Sequence, residues 1–279
     1  MRTKELNYPV VDAENDHLAK FAVQKDNITE KEFWDNFWNN LSLPSRVNEN
    51  FSNDRIICDF LKKNIPSGEK KKTALEVGCA PGKWMIFLND ELQYSAEGCE
   101  YLESAVKITR QNLEMNNIHN AVIYQGDFLS YDFGKNQYDI VISLGFIEHF
   151  TNPEFVVGKM CTILKKGGIL IIGIPKFTGL NYYIAKYVDK KSKNKLLPAH
   201  NLKIMNLHFF YELAKKGQVK PIKITCSGGF EPALYDTSAT PLWFKLIFHG
   251  LSIIFHNRLA QIICSEFYSS YILGVYKKV

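Results

Sequence analysis

Leu75-Glu76-Val77-Gly78-Cys79-Ala80-Pro81-Gly82-Lys83-Trp84 is the stretch on which the reading of this chain turns. It joins an apolar run of strand length, Thr73 to Gly78, to a turn of small residues and then to helix-forming residues after Pro81, whose fixed φ suits a helix's first turn. Gly78 and Gly82 let the backbone come within contact distance of a ligand, and the helix start leaves free N–H donors pointing at it. That geometry suits a nucleotide. Close packing of a helix on a strand produces the same turn, so its neighbours have to decide.

Upstream stand the solvated Lys70-Lys71-Lys72 and an N-terminal piece, 1–67. Downstream, strand-length runs alternate with amphipathic helical segments. Tyr94 to Glu100 is the second strand. A helix from Leu102 to Asn116 follows, then a third strand, Ala121 to Gln125, and a fourth, Tyr138 to Leu144, apolar as a strand buried on both faces must be. Asn152 caps a helix with Pro153 at its first position, and Lys165-Lys166-Gly167-Gly168 closes it before the fifth strand, Ile169 to Ile174. Leu202 to Lys216 reads as one helix, with strands at Pro221 to Cys226 and Tyr271 to Tyr276. The pattern predicts an α/β fold: a doubly wound, mostly parallel seven-stranded sheet over 68–279, carrying an N-terminal helical extension. Insertions at 175–201 and 227–270 follow strands five and six, and are expected to form an acceptor pocket.

Composition narrows the classes. With 279 residues, 46% hydrophobic and 13% aromatic, the chain buries a full core, which excludes disordered and fibrous proteins. Its 34 basic and 29 acidic residues leave +5, too mild to require nucleic acid or acidic lipid. Six cysteines without a C-x-x-C pair or a His at metal spacing predict neither disulfides nor a metal site. Met1 to Asp16 has no apolar stretch of a secretory signal, so a cytoplasmic location is expected. Leu242 to Phe255, broken by Lys245, His249 and Gly250, is too short to span a bilayer.

Three carboxylates strengthen the reading of the turn. Glu76 lies in the first strand. Glu100 ends the second strand about twenty residues after the turn, where a carboxylate accepts from ribose hydroxyls. After the third strand, Gly126-Asp127-Phe128 offers Asp127 to an adenine amino group and Phe128 to its ring. This order resembles the class I S-adenosylmethionine-dependent methyltransferases over about Thr73 to Pro175. The resemblance implies a Rossmann-like methyltransferase fold, S-adenosylmethionine as cofactor and S-adenosylhomocysteine as product. It implies a cofactor site of Glu76, Gly78, Cys79, Ala80, Gly82, Glu100, Asp127, Phe128, Ser143 and Leu144. Ala80 departs from the family's usual glycine, though a single methyl leaves the backbone approachable. A nicotinamide dinucleotide would need glycines where Ala80 and Lys83 stand.

Glu148-His149-Phe150-Thr151-Asn152-Pro153 resembles the Glu-His-x-x-x-Pro segment of small-molecule methyltransferases such as those of quinone biosynthesis. His149 titrates near neutral pH when unperturbed and is the candidate base, oriented by Glu148; a capping or packing role for the imidazole stays open. His200 and His208 carry no motif and read as structural. Asn181-Tyr182-Tyr183 offers polar and aromatic groups to an acceptor. Lys186, Lys190, Lys191, Lys193 and Lys195 read as a solvated loop able to meet phosphates, and beside the apolar 227–270 segment they permit peripheral membrane contact.

At the N-terminus, Thr29-Glu30-Lys31-Glu32 is a capping box with an Ile28 and Phe33 staple. The helix it starts carries Phe33, Trp34, Phe37 and Trp38, an aromatic stripe read as packing against the domain rather than as a ligand lid. The expected function is methyl transfer to a small-molecule acceptor, a hydroxyl of a sugar or a lipid-linked intermediate. An RNA methyltransferase is the enzymatic alternative, but ribose-methylating RNA enzymes carry a catalytic Asp after strand four, and in this chain Ser143-Leu144-Gly145 stands there. A non-catalytic cofactor-binding protein is the remaining alternative.

Overall fold

The structure is a computed structural model and describes residues 27–29, 31–39, 41–50, 52–135, 137–192, 195–216, 219–255 and 264–279. Met1 to Asp16, Glu30 of the capping box and Lys193 lie outside the described residues. Seven strands form one sheet: β1 (Thr73–Val77), β2 (Ser95–Glu100), β3 (Ile123–Gln125), β4 (Tyr138–Leu144), β5 (Leu164–Pro175), β6 (Val219–Ser227) and β7 (Tyr271–Lys278). Their order is β3-β2-β1-β4-β5-β7-β6, with the first five parallel and β7 antiparallel to both its neighbours. This is the doubly wound, mostly parallel sheet that the alternation predicts.

Alternation along the strands explains the two-sided core. In β4, Val141 packs with Leu75, Val77, Leu170 and Ile172 on one face, while Ile140 and Ile142 join Ala74, Ile171 and Leu273 on the other. Helices α2 (Ser52–Asn64), α3 (Lys83–Asp90) and α4 (Glu103–Met115) supply Leu61, Met85 and Val106 to the second face. Helices α5 (Pro153–Ile163) and α7 (Leu207–Lys216) cover the first with Met160 and Phe210. Each fully buried aliphatic side chain is worth about 1.5–3 kcal/mol.

Three boundaries differ from expectation. The Lys165-Lys166-Gly167-Gly168 segment belongs to β5, whose register against β4 shifts between Tyr138 and Ile140, so helix α5 ends at Ile163. Leu202 to Lys216 is two elements: a short 3-10 turn, Leu202–Ile204, precedes α7, and Asn206 Oδ1 caps α7 by accepting from Phe209 N–H at 2.9 Å. Pro81 precedes α3 rather than opening it, because Gly82 at φ +87° is that helix's N-cap. Asn152 does cap α5, accepting from Phe155 N–H.

The two insertions pack on each other. Tyr187 of α6 (Leu180–Asp189) stacks on Phe244 of α8 (Leu242–Phe255), Phe177 meets Tyr235, and Asn181 accepts from Tyr235 Oη while donating to Ser269 O. Asn181 is thus a buried strut. Lys195, part of the lysine run, donates to the carbonyls of Asp189 and Ser192. No helix among the described residues is long and apolar enough to cross a membrane.

Candidate active site

The carboxyl ends of β1, β2, β3 and β4 open onto a cleft with two adjoining hollows, of about 310 Å³ and about 260 Å³. Asn27, Gly78, Glu100, Tyr101, Phe146 and Phe150 border both. Gly126, Asp127 and Phe128 close one end. Ala80, Leu144, Gly145 and His149 line the other.

Gly78 has φ +72°, and a Cβ there would meet Phe146 Cδ2 at 2.7 Å, so only glycine holds this turn beneath the Phe146 ring. Its N–H donates to Cys99 O at 2.9 Å, tying the β1 turn to β2. At the end of β2, Glu100 Oε1 accepts from Tyr101 N–H (2.8 Å) and Leu102 N–H (3.1 Å). Burial raises the Glu100 pKa, opposed by these N–H donors. Asp127 Oδ1 accepts from Leu129 N–H at 2.9 Å; burial raises its pKa too, opposed by that donor and by Lys159. Phe128 is buried beside it, with Lys159 Nζ 5.8 Å from its ring centroid.

Four of the ten expected cofactor residues lie behind the cleft instead of lining it. The Cys79 thiol points into the core, where it packs over Gly98, and burial raises its pKa well above the usual thiol range. Glu76 accepts from Met85 N–H and so caps α3 from beneath; burial lifts its carboxyl far above the ordinary range. Gly82 supplies the helix cap and a close approach to Thr109. Ser143 is buried, its hydroxyl without a hydrogen-bond partner among the described residues, one strand position from Leu144, which faces the cleft. Gly78, Ala80, Glu100, Asp127, Phe128 and Leu144 are the six that the fold brings together around it.

Trp34, Phe37 and Trp38 of α1 (Lys31–Asn39) line the second hollow, so the stripe read as packing also forms a wall of the cleft. Trp34 stacks on Trp38 and sets its edge against His149, 4.8 Å between centroids. The insertions contribute no lining residue among those described, although 175–201 brings Ala199 and His200 against His149 from behind, and the N-terminal segment walls the hollow. Thr29 does not serve as a side-chain cap: its hydroxyl donates to Ala199 O and lies 3.0 Å from His149 Nδ1.

His149 ends a 3-10 turn, Ile147–His149, held from both sides. Ile28 N–H donates to His149 O at 2.7 Å, Asn27 bridges Phe150, and Asn201 N–H donates to Glu148 O at 2.7 Å. The imidazole Nδ1 lies 2.8 Å from Ala199 O, an atom that only accepts, so Nδ1 carries the hydrogen and Nε2 the lone pair. Burial, with His200 alongside, holds the His149 pKa down at about 3, away from the neutral value expected of it. Burial pushes Glu148 up to about 8. Glu148 Oε1 stands 3.8 Å from His149 Nε2, and neither carboxylate oxygen has a hydrogen-bond partner among the described residues. His200, brought in from 51 positions along the chain, lies 4.7 Å from the His149 ring. His208 sits exposed on α7. Tyr101, Phe146, Phe150 and Asn27 were not singled out from sequence, although Tyr101 follows the strand-ending Glu100 directly.

The sequence profile of a family described as a methyltransferase domain matches residues 68–223. Among curated proteins, the demethylmenaquinone methyltransferase of Geobacillus stearothermophilus is 26% identical over 106 residues, 37% of this chain and 45% of that one. Its Staphylococcus carnosus counterpart is 27% identical over 37% of this chain and 43% of its own. The match thus spans less than half the length of these relatives. Among solved structures, a geranyl diphosphate C-methyltransferase from Streptomyces coelicolor A3(2), in complex with Mg2+, geranyl diphosphate and S-adenosyl-L-homocysteine, superposes with TM-score 0.57 at 11% identity, over 80% of this chain and 78% of that one. Phosphoethanolamine N-methyltransferase 2 of Haemonchus contortus, with S-adenosyl-L-methionine, gives TM-score 0.54 at 17% identity over 79% and 51%. These two share the fold.

Proposed function

The chain belongs to the methyltransferase-domain family, and from that premise we propose that it moves a methyl group from S-adenosylmethionine to a hydroxyl of a small-molecule acceptor. The observation that carries this is the single cleft with Asp127 and Phe128 at one end, Gly78 and Glu100 at its middle, and His149 under aromatic walls at the other. Asp127 would accept from the adenine amino group with Phe128 covering its ring, Glu100 would accept from the ribose hydroxyls, and Gly78 and Ala80 would hold the methionine part. Trp34, Trp38 and His149 would then wall the space for a methyl donor, aromatic faces that suit a sulfonium cation.

Transfer is an in-line displacement. The acceptor oxygen forms the new C–O bond as the C–S bond breaks with its electron pair retained by sulfur, and the hydroxyl proton passes to solvent water. The protein's task is alignment and exclusion of water, which the α1 aromatic wall serves. His149 lines the acceptor end and meets the hydroxyl through Nε2, with Glu148 buried behind it at 3.8 Å from that nitrogen. The apolar walls favour an acceptor with a flat or hydrocarbon body, a sugar ring or a lipid-linked intermediate, over a long charged polymer.

Calorimetric titration with S-adenosylmethionine, and separately with NAD, tests the cofactor assignment: micromolar binding of the first alone is expected. Asp127→Ala weakens that binding about ten- to a hundredfold, the worth of a charged hydrogen bond. His149→Ala leaves cofactor binding intact and slows methyl transfer. Binding without transfer to any member of a sugar and lipid-linked acceptor panel would return the protein to a non-catalytic role.

A further inference from the structure

Glu148, His149 and His200 each place one ligand-capable atom within 4.8 Å of the others, beside the acceptor hollow. Three features make this more than a chance cluster. First, both imidazoles have their tautomer set by a backbone carbonyl: His149 Nδ1 lies 2.8 Å from Ala199 O and His200 Nδ1 2.6 Å from Leu196 O. A carbonyl only accepts, so each ring donates from Nδ1 and keeps a lone pair on Nε2. An N–H···O=C bond behind the coordinating nitrogen is the usual support of a metal-ligating histidine. Second, the Glu148 side chain is fully buried, and neither of its oxygens has a hydrogen-bond partner among the described residues. A buried polar group in that condition is costly unless a donor or cation meets it.

Third, the segments carrying the three groups are clipped together by atoms outside the cluster. Asn201 N–H donates to Glu148 O, and Asn201 Nδ2 donates to Phe150 O at 3.0 Å. The Glu148 carboxylate also lies against Gly145, which lines the hollow: a Cβ at Gly145 would be 3.8 Å from Glu148 Oε1.

We propose that Glu148, His149 and His200 form a binding site for one divalent first-row transition cation, open toward the acceptor hollow. Two imidazole nitrogens and one carboxylate favour Zn2+ or its neighbours over Mg2+, which prefers six oxygens. Ligands on tetrahedral Zn2+ stand about 3.4 Å apart, so the 3.8 Å pair is near its bound spacing and the widest closes by about 1.4 Å. Three protein ligands leave a position for the acceptor oxygen. Bound there, a hydroxyl sheds its proton to solvent water more readily, and the resulting alkoxide attacks the methyl carbon as above. This role toward the acceptor rests on the methyltransferase reading; the site itself does not.

The full chain, stripped of metal with a chelator, is titrated with Zn2+, Co2+, Mn2+ and Mg2+ salts alone, and with S-adenosylmethionine in a parallel cell. The expected result is one Zn2+ or Co2+ per chain, visible d–d absorption for Co2+, and Mg2+ at least tenfold weaker. His200→Ala and Glu148→Gln each weaken Zn2+ binding at least tenfold and quench the Co2+ bands, while S-adenosylmethionine affinity changes less than twofold, which certifies their fold. No stoichiometric cation in the wild type overturns the proposal, as does binding that survives both substitutions, since the cation then sits on a surface group such as the exposed Cys264 thiol. Failure of S-adenosylmethionine to bind sinks the methyltransferase reading alone; the cation titration decides the site.

Discussion

A single hydrogen atom at position 98 decides how the cofactor turn sits. A Cβ at Gly98 would meet Cys79 Sγ at 2.5 Å, Met85 Sδ at 2.7 Å and Cys79 Cβ at 2.8 Å, all beneath the turn that presents Gly78 and Ala80. Gly98→Ala therefore destabilises the fold by about 1–3 kcal/mol through overpacking, read as a lower midpoint in denaturant, and weakens cofactor binding by pushing the turn outward. Adding Cys79→Ala restores part of both, because it removes the clashing sulfur. The same alternation governs what the sequence makes legible at this scale. Glu100 and Leu144 end strands and Asp127 stands two residues beyond one, so their position in the chain announces the cleft. Cys79, in the turn after β1, and Ser143, in β4, are each one residue from a lining position and face the core, a distinction of side-chain direction that a motif does not carry. His200 meets His149 only through the tertiary path of the chain between them, and no spacing rule anticipates it.

Among the elements, α1 has the clearest functional reading. Its aromatic stripe predicts a buried face, and the structure turns that face to the second hollow, with Trp34 against His149. An apolar stripe states that a surface is covered but not by what, which is why packing and lid were indistinguishable from sequence. Trp34→Ala is expected to raise the acceptor KM several-fold with a smaller change in kcat and little loss of thermal stability, the loss being an aromatic contact of about 0.5–1.5 kcal/mol. An unchanged KM would mean that α1 only packs. Elements with strong apolar runs, β1, β2 and β4, lie within a residue or so of where the sequence sets them. The start of β5 does not: its lysines and glycines imitate a helix end, whereas pairing with Tyr138 across a register shift makes them strand.

At the scale of the whole molecule, the doubly wound sheet and its switch point were readable, because alternation of apolar runs with amphipathic segments fixes layer architecture. The partition of labour between the extension and the insertions was not, since which segment reaches the cleft depends on packing between distant aromatic residues. The position of β7 inside the sheet has a kinetic consequence. Within the sheet β6 hydrogen-bonds to β7 alone, and β7 arrives only after the long 227–270 excursion. The five parallel strands therefore meet one another early, while the outer edge of β5 and the whole of β6 wait on a distant loop closure. Stopped-flow refolding is expected to show two phases, the slower of which vanishes from the cleft's own fluorescence and persists in a probe placed on β6. The catalytic face would then be assembled in a chain that is still threading its last fifth into register, and an S-adenosylmethionine-bound folding intermediate should be trappable.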